Sequence, residues 1–319
     1  MAQSILIIYF SGTGNTAAVC RHIKTVFERT NATGQANDKC EQYTVTLMRA
    51  EDYLACNENQ NLTFDQLGIA YPVHAFSSPP IIEQVIRLLP NGCDREAFLL
   101  YTAGDFVRIN QMAGRKVIAL LRKQRYKVNY ERLIVMGSNW LIGYDDAFNS
   151  RLYQAAQIKA AHMVTQLKQK REHRYHFVPV MHHGGWLFHH MEKFGAKLFG
   201  RLLHTTDACT RCGKCLNACP VGNIQRKNGQ IQFHGKCQMC MRCVYQCPVN
   251  AIRSHGLQWM ILKEGYSIEK IIKGACGKID GSANDKTSNG NKDDNKAEDQ
   301  TALKGYSRHF IAYFDDIER

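Results

Sequence analysis

The chain has 319 residues, 45% of them apolar, and a formal charge of +13 at pH 7. That length accommodates two domains, and no apolar run approaches the length of a transmembrane span, the longest being Ile5–Phe10. The excess of Lys and Arg suits an acidic redox partner or an anionic surface. It is spread along the chain without an RNA-binding signature or a helix-turn-helix, so no nucleic-acid partner is expected.

Met1 leads almost directly into the first apolar run, and no secretory leader is expected. Cys20, Cys40, Cys56, Cys93 and Cys276 are scattered and read as inert thiols of a reducing cytoplasm. Short apolar runs at 5–10, 43–48, 67–71, 98–101 and 133–136 predict five buried strands. Helical patterns lie between them: one over 15–29, with Cys20, Ile23, Val26 and Phe27 on one face, and others starting near Pro79, Gln111 and Ala147. Strands alternating with helices imply a doubly wound parallel α/β sheet, whose ligands bind beyond the carboxyl ends of the strands.

The first strand ends in Ser11-Gly12-Thr13-Gly14-Asn15-Thr16. Small residues let backbone close around a phosphate, and the N–H groups opening the next helix point at it. Lys is absent and the Gly spacing is not a dinucleotide fingerprint, so neutral donors binding the phosphate of FMN is the expectation. The loop after the fifth strand, 137–146, carries Trp140 and Tyr144, amphipathic aromatics able to cap the flavin or meet the following domain, with core or surface packing the default reading.

Residues 171–205 carry seven of the thirteen histidines: His173, His176, His182, His183, His189, His190 and His204. No carboxylate or cysteine cluster accompanies them, so a structural or solvated role is favoured over a metal site. Leu187, Met191, Phe194, Leu198 and Leu202 share one face of a predicted helix and are expected to dock the following domain onto the first. Lys193, Lys197 and Arg201 stripe another side, so a membrane-surface helix over 185–203 is the rival reading.

Next come Cys209-Thr-Arg-Cys212-Gly-Lys-Cys215-Leu-Asn-Ala-Cys219-Pro220 and Cys237-Gln-Met-Cys240-Met-Arg-Cys243-Val-Tyr-Gln-Cys247-Pro248. Two such runs are what a two-cluster iron–sulfur domain needs, with the fourth cysteine of each run taken by the other cluster. The expected sets are Cys209, Cys212, Cys215 and Cys247 on one [4Fe–4S] cluster, and Cys237, Cys240, Cys243 and Cys219 on the other. Zinc is the rival, but zinc ribbons show separated C-x2-C pairs, not dense triplets followed by Cys-Pro. Residues 277–304 have almost no apolar side chains and are expected to be a disordered insert, while 306–314 turn apolar again and can dock back.

Ser11–Thr16 resembles the FMN phosphate loop of flavodoxins, and residues 205–255 resemble a bacterial two-cluster ferredoxin. The fusion in this order is similar to a family of fused flavodoxin–ferredoxin proteins from anaerobic bacteria. The resemblance implies a flavodoxin-like FMN domain at 1–180, a His-rich amphipathic linker at 181–204, a small α+β ferredoxin-like two-cluster domain at 205–256 and an extension at 257–319. It implies that the loop holding Val73, His74, Ala75 and Phe76 lies along one side of the flavin ring, and that of Thr102, Ala103 and Gly104 along the other. Phe76 or Tyr71 would stack on the ring, and His74 would shuttle a proton. The first of these loops lacks the glycine that many short flavodoxins have there.

The expected function is a relay of electrons between FMN and two [4Fe–4S] clusters to a partner redox protein, a carrier being favoured over a substrate-specific oxidoreductase. The alternatives are a flavin-dependent oxidoreductase with its own small-molecule substrate, and a non-redox membrane or partner-interaction module with a degenerate flavin site.

Overall fold

The computed structural model describes residues 3–29, 42–56, 62–105, 108–176, 179–280, 310 and 313–314, leaving aside the side chains of 179–190 and 277–280. Strands β1 (Gln3–Tyr9), β2 (Tyr43–Arg49), β3 (Gln66–Pro72), β4 (Glu96–Ala103) and β5 (Lys127–Val135) form one parallel sheet in the order β2-β1-β3-β4-β5. This is the flavodoxin-like strand order. Helices α1 (Asn15–Arg29), α2 (Ala50–Ala55), α3 (Pro80–Leu88), α4 (Arg115–Lys123) and α5 (Asp146–Lys168) connect or flank the strands.

Alternation along β1 sends Ile5 and Ile7 to one face, packed on Val19, Ile23 and Phe27 of α1 and Met163 of α5. Leu6 and Ile8 go to the other face, against Ile82 and Val85 of α3 and Val117 of α4. Because both faces are covered, the strands are apolar throughout rather than alternating. Helix starts are chemically marked: Pro80 opens α3, and the Asp145 side chain accepts from the Phe148 N–H (2.7 Å) to cap α5. The chain leaves β1 toward β2 on one side and returns to β3 on the other, which opens a crevice at their carboxyl ends.

The bridge is a helix, α6 (Pro179–Leu202), running into strand β6 (Leu203–Thr205). Its buried side differs from the expectation. Met191, Phe194 and Leu198 are 64%, 72% and 44% exposed, whereas Ala196, Phe199 and Leu203 are buried. Small residues decide this. A Cβ on Gly200 would stand 2.3 Å from the Cys237 Cβ and 2.7 Å from the His234 carbonyl, so only this face of α6 can approach the cysteine-rich segment so closely.

That segment folds as two similar halves. Helix α7 (Lys214–Ala218) and hairpin β7 (Ile224–Lys227)–β8 (Gln230–Phe233) are followed by helix α8 (Arg242–Tyr245) and strand β9 (Ile252–Ser254), which pairs antiparallel with β6. The hairpin turns at Asn228 and Gly229, both at positive φ, the residues this turn demands. Phe199, Leu203, Met241, Val244, Ile252 and Ile261 form its core.

The chain then returns to the sheet. Helix α9 (Ile268–Asp280) packs Ile268, Ile271 and Ala275 against α1 and α5, becoming part of the first domain's core. The disordered insert expected at 277–304 therefore begins within a helix as far as Asp280, because the apolar face of α9 carries the backbone on; the remainder lies outside the described residues. Phe310, Tyr313 and Phe314 are buried against Val135, Phe148 and Leu152, so these apolar residues of the tail do dock back.

Candidate functional site

Two sets of four cysteines surround two separate cavities. Cys219, Cys237, Cys240 and Cys243 line one, and Cys209, Cys212, Cys215 and Cys247 line the other. These are the two sets that the sequence spacing implies, with Cys219 and Cys247 exchanged between halves. The halves repeat in backbone detail: Arg211 and Met239 both take positive φ, as do Gly213 and Met241. Such left-handed steps turn successive N–H groups inward and make an anion-binding concavity.

Backbone donors already reach sulfur. The Asn223 N–H donates to Cys219 Sγ (3.2 Å), Ala251 to Cys247 Sγ (3.3 Å) and Met239 to Cys237 Sγ (3.3 Å). Hydrogen bonds to cluster sulfurs raise reduction potentials. Among the described residues, no three His, Cys, Asp or Glu side chains converge on a point where a single ion could sit. Each cysteine set lines its own cavity, as the four corners of a cubane require.

The two sites differ in environment. Burial pushes the Cys237 thiol up to about 12 and raises those of Cys240 and Cys243. Cys212 is exposed, and the Lys214 backbone N–H lowers its pKa. One set is thus enclosed and the other reaches the surface.

A third cavity, of ≈ 330 Å³, lies at the carboxyl ends of β1, β3, β4 and β5. The turn Ser11–Thr16 lines this cavity and opens α1, and a helix N-terminus leaves its first N–H groups without intrahelical partners. Asn15 Nδ2 donates to the Gly137 carbonyl (2.9 Å) and Asn15 Oδ1 accepts from the Tyr266 hydroxyl (2.6 Å), which fixes the turn. Thr13 Oγ1 accepts from Asn139 Nδ2 (2.6 Å), leaving its own hydrogen to donate. The hydroxyl of Thr16, fully buried, is paired with that of Thr102 at 2.8 Å.

Two polar atoms here are buried and unpartnered among the described residues: Ser11 Oγ and Trp140 Nε1. Native interiors rarely leave such groups orphaned, and both belong to residues lining the cavity. Neutral hydroxyl and N–H donors at a helix N-terminus, beneath a slot lined by aromatic residues, fit a phosphorylated flavin.

Of the thirteen residues expected to bind it, twelve line the cavity: Ser11, Gly12, Thr13, Asn15, Thr16, Val73, His74, Ala75, Phe76, Thr102, Ala103 and Gly104. Gly14 stands behind the turn at φ +104°, where a Cβ would meet Ile268 Cγ2 at 2.5 Å. Tyr71 is not available to stack on a ring. It is fully buried in the core, lies 5.7 Å from the Tyr101 ring and donates to the Ala113 carbonyl (3.2 Å).

His74 and Ser77 exchange backbone hydrogen bonds at 2.9 Å, closing a two-residue turn through Ala75 (φ 45°) and Phe76 (φ 59°). Left-handed φ on two non-glycine residues costs each about 1 kcal/mol or more and is kept where the surroundings hold it. The glycine missing from this loop is thus replaced by a braced turn, not by an extended one.

Trp140 and Tyr144 also line the cavity rather than merely packing. The Tyr144 hydroxyl donates to the Gly104 carbonyl (2.6 Å), and its ring meets Phe148 and Phe310 edge-on. Sequence reasoning missed Glu192, carried into the cavity by α6, where desolvation raises its carboxyl to about 7. It missed also that Met239 and Cys240 complete the cavity wall. A Cβ on Gly12 would lie 2.3 Å from the Cys240 carbonyl oxygen, so the two backbones touch. The enclosed cysteine set is therefore the proximal one.

Residues 201–248 match the family described as 4Fe-4S dicluster domain. No curated protein matches the chain. Among solved structures, an oxidoreductase from Corynebacterium diphtheriae is 15% identical over 52% of this chain and 99% of its own, with a TM-score of 0.34. A flavodoxin from the domain Archaea is 11% identical over 52% and 99%, with a TM-score of 0.31. Rubredoxin oxygen:oxidoreductase from the anaerobe Desulfovibrio gigas is 15% identical over 51% of this chain and 37% of its own, at 0.32. The strand order, rather than these distant likenesses, fixes the fold of the first half. The chain joins a flavodoxin-like α/β domain to a cysteine-rich segment that matches the 4Fe-4S dicluster domain family.

Proposed function

We propose that the protein is an electron-transfer iron–sulfur flavoprotein, holding FMN on Ser11–Thr16 and two [4Fe–4S] clusters on the two cysteine sets. One observation carries this reading: Cys240 lines both the proximal cysteine cavity and the crevice above β1. Bound FMN supplies the exchange of one or two electrons, and clusters pass them singly. The protein's part is to hold the groups in order, with no surface crossing between the first two. The exposed distal set, with Arg211, Lys214 and Arg226 at the surface beside it, is the exit toward a partner redox protein.

Anaerobic purification with iron, sulfide and FMN quantified, followed by reductive titration, tests this. About eight irons and one FMN per chain, reduced in one coupled titration, are expected. Clusters without FMN would sink the flavin half.

A second reading has its own observation: His74, Tyr144 and Glu192 share the cavity. A carboxyl raised to about 7 that shares the cavity with an imidazole can move a proton to a small-molecule substrate, which would make the protein a flavin-dependent oxidoreductase. Reduction of the distal cluster without any small-molecule acceptor favours the carrier. A cytoplasmic location belongs to the proposal. An interfacial role for 185–203 would use the exposed Met191, Phe194 and Leu198, and vesicle co-sedimentation at varied salt tests it. No helix among the described residues is long and apolar enough to cross a membrane.

A further inference from the structure

Arg242 sits within the proximal cluster motif, between Cys240 and Cys243, yet its side chain, 12% exposed, reaches into the other domain. Nη2 donates to the Ser11 carbonyl (2.6 Å) and Nε to the Gly12 carbonyl (3.3 Å). Nη1 donates to the carbonyl of Ala218, the neighbour of Cys219, at 3.2 Å. The Glu51 carboxylate, 17% exposed, lies 2.6 Å from Nη1, and the guanidinium stands 5.4 Å from the centre of the Phe10 ring. One side chain thus joins the end of β1, the phosphate turn, α2 and both segments that supply the proximal cysteines.

In a trans peptide the C=O and the following N–H point in opposite directions. Arg242 holds the Ser11 and Gly12 carbonyls on its own side, so the N–H groups of Gly12 and Thr13 are turned away from it. A cation on those carbonyls also polarises the same peptide units, strengthening their donors. Glu51 offsets the buried charge and keeps the guanidinium from serving as a direct phosphate ligand. Lys, with no planar fork, cannot make the same set of bonds.

We propose that Arg242 is a positioning residue for anion binding in the flavodoxin-like domain, supplied by the cluster motif, so that phosphate recognition at Ser11–Thr16 and loading of the proximal cluster reinforce one another. This rests on the FMN reading of the cavity. The cluster fixes the backbone on either side of Arg242, which fixes the guanidinium, which fixes the turn. By linkage the effect runs equally in reverse.

The test uses the full-length, cluster-loaded protein under anaerobic conditions, with Kd for FMN and for riboflavin measured by quenching of flavin fluorescence. Riboflavin has the ring but no phosphate. Arg242→Gln is expected to weaken FMN by about 10- to 100-fold, the loss of one to two charge-assisted bonds to the turn, and to leave riboflavin unchanged. Arg242→Lys keeps the buried cation and covers the case in which the glutamine variant loses iron. It is expected to weaken FMN by about 3- to 10-fold, again sparing riboflavin. Equal weakening of both ligands by the lysine variant would reduce Arg242 to a domain clamp and overturn the inference. Unchanged FMN binding in an iron-replete variant overturns it as well, leaving the flavin reading intact. A wild-type chain that binds neither ligand overturns both.

Discussion

Substituting Gly12 by Ala probes the backbone contact between the two domains. The new methyl would stand 2.3 Å from the Cys240 carbonyl oxygen and 3.2 Å from its carbonyl carbon and Cβ. An ordinary contact needs about 1 Å more, and the nearest atoms belong to backbone that cannot rotate away. Overpacking of this kind costs about 1–3 kcal/mol. Moving the turn by that amount also stretches the Arg242 bonds to Ser11 and Gly12, now at 2.6 and 3.3 Å, each worth about 1.5–3 kcal/mol as charge-assisted bonds. These contributions share one displacement and do not add fully; about 3–4 kcal/mol in total is the expectation. If the turn moves, FMN affinity falls by at least about 100-fold. If the cluster segment moves, FMN still binds but electron passage from flavin to cluster slows. Flavin fluorescence titration and stopped-flow reduction, with iron content as control, separate the two. A Gly12→Ala protein with full iron, a wild-type FMN Kd and a wild-type transfer rate would refute the contact.

Other substitutions read other parts of the site. Ser11→Ala removes a buried, unpartnered hydroxyl and is expected to weaken FMN by about 10-fold without affecting riboflavin. Cys212→Ser, in the exposed set, should lose about half the iron and keep FMN, whereas Cys240→Ser should lose about half the iron and weaken FMN too, because Cys240 also walls the cavity above β1. Glu192 is raised from 4.5 to about 7, so the folded state holds its proton through that interval and stability is lost as pH rises across it. Glu192→Gln abolishes this loss, and its stability advantage over wild type should grow by about 1.4 kcal/mol between about pH 6 and about pH 8.5; a constant difference in denaturation midpoint would count against the carboxyl's desolvated setting. Gly195→Ala, placed in the body of α6 with nothing within 4 Å of the added methyl, should leave FMN and iron untouched and stabilise by about 1 kcal/mol, monitored as a higher thermal midpoint.

Which residues could be found from sequence follows from how local their signal is. The cysteine spacing is local, since three cysteines of each set lie within seven residues, and even the exchange of Cys219 and Cys247 follows from the reach of a short turn. The phosphate turn is local for the same reason: strand, small residues and helix are consecutive. The strands were legible because burial on both faces writes unbroken apolar runs into the chain. The tight turn at Ala75–Phe76 carries no such mark. Neither residue is one that left-handed φ normally selects, and only its surroundings hold it.

The bridge helix shows where pattern alone misleads. Its largest apolar side chains, Met191, Phe194 and Leu198, promise a buried stripe, yet they stay exposed. Close approach to Cys237 needs a missing side chain, and Gly200 with Ala196 supplies it on another face. That rotation carries Glu192 into the cavity at the carboxyl ends of the strands. Tyr71 fails for the opposite reason: the pleat that places it at the end of β3 points its ring into the core.

By itself, the sequence determines the two cysteine runs, the small-residue turn after the first strand and the class of sheet, because ligand spacing, turn composition and strand periodicity are set by near neighbours in the chain. Only the tertiary structure decides that Arg242 grips Ser11 and Gly12 across 231 and 230 positions of sequence, that α9 closes the first domain's core, and that the enclosed cysteine set abuts the cavity above β1. Those contacts depend on which surfaces have room to meet, and room is a property of the packed molecule, not of any segment of it.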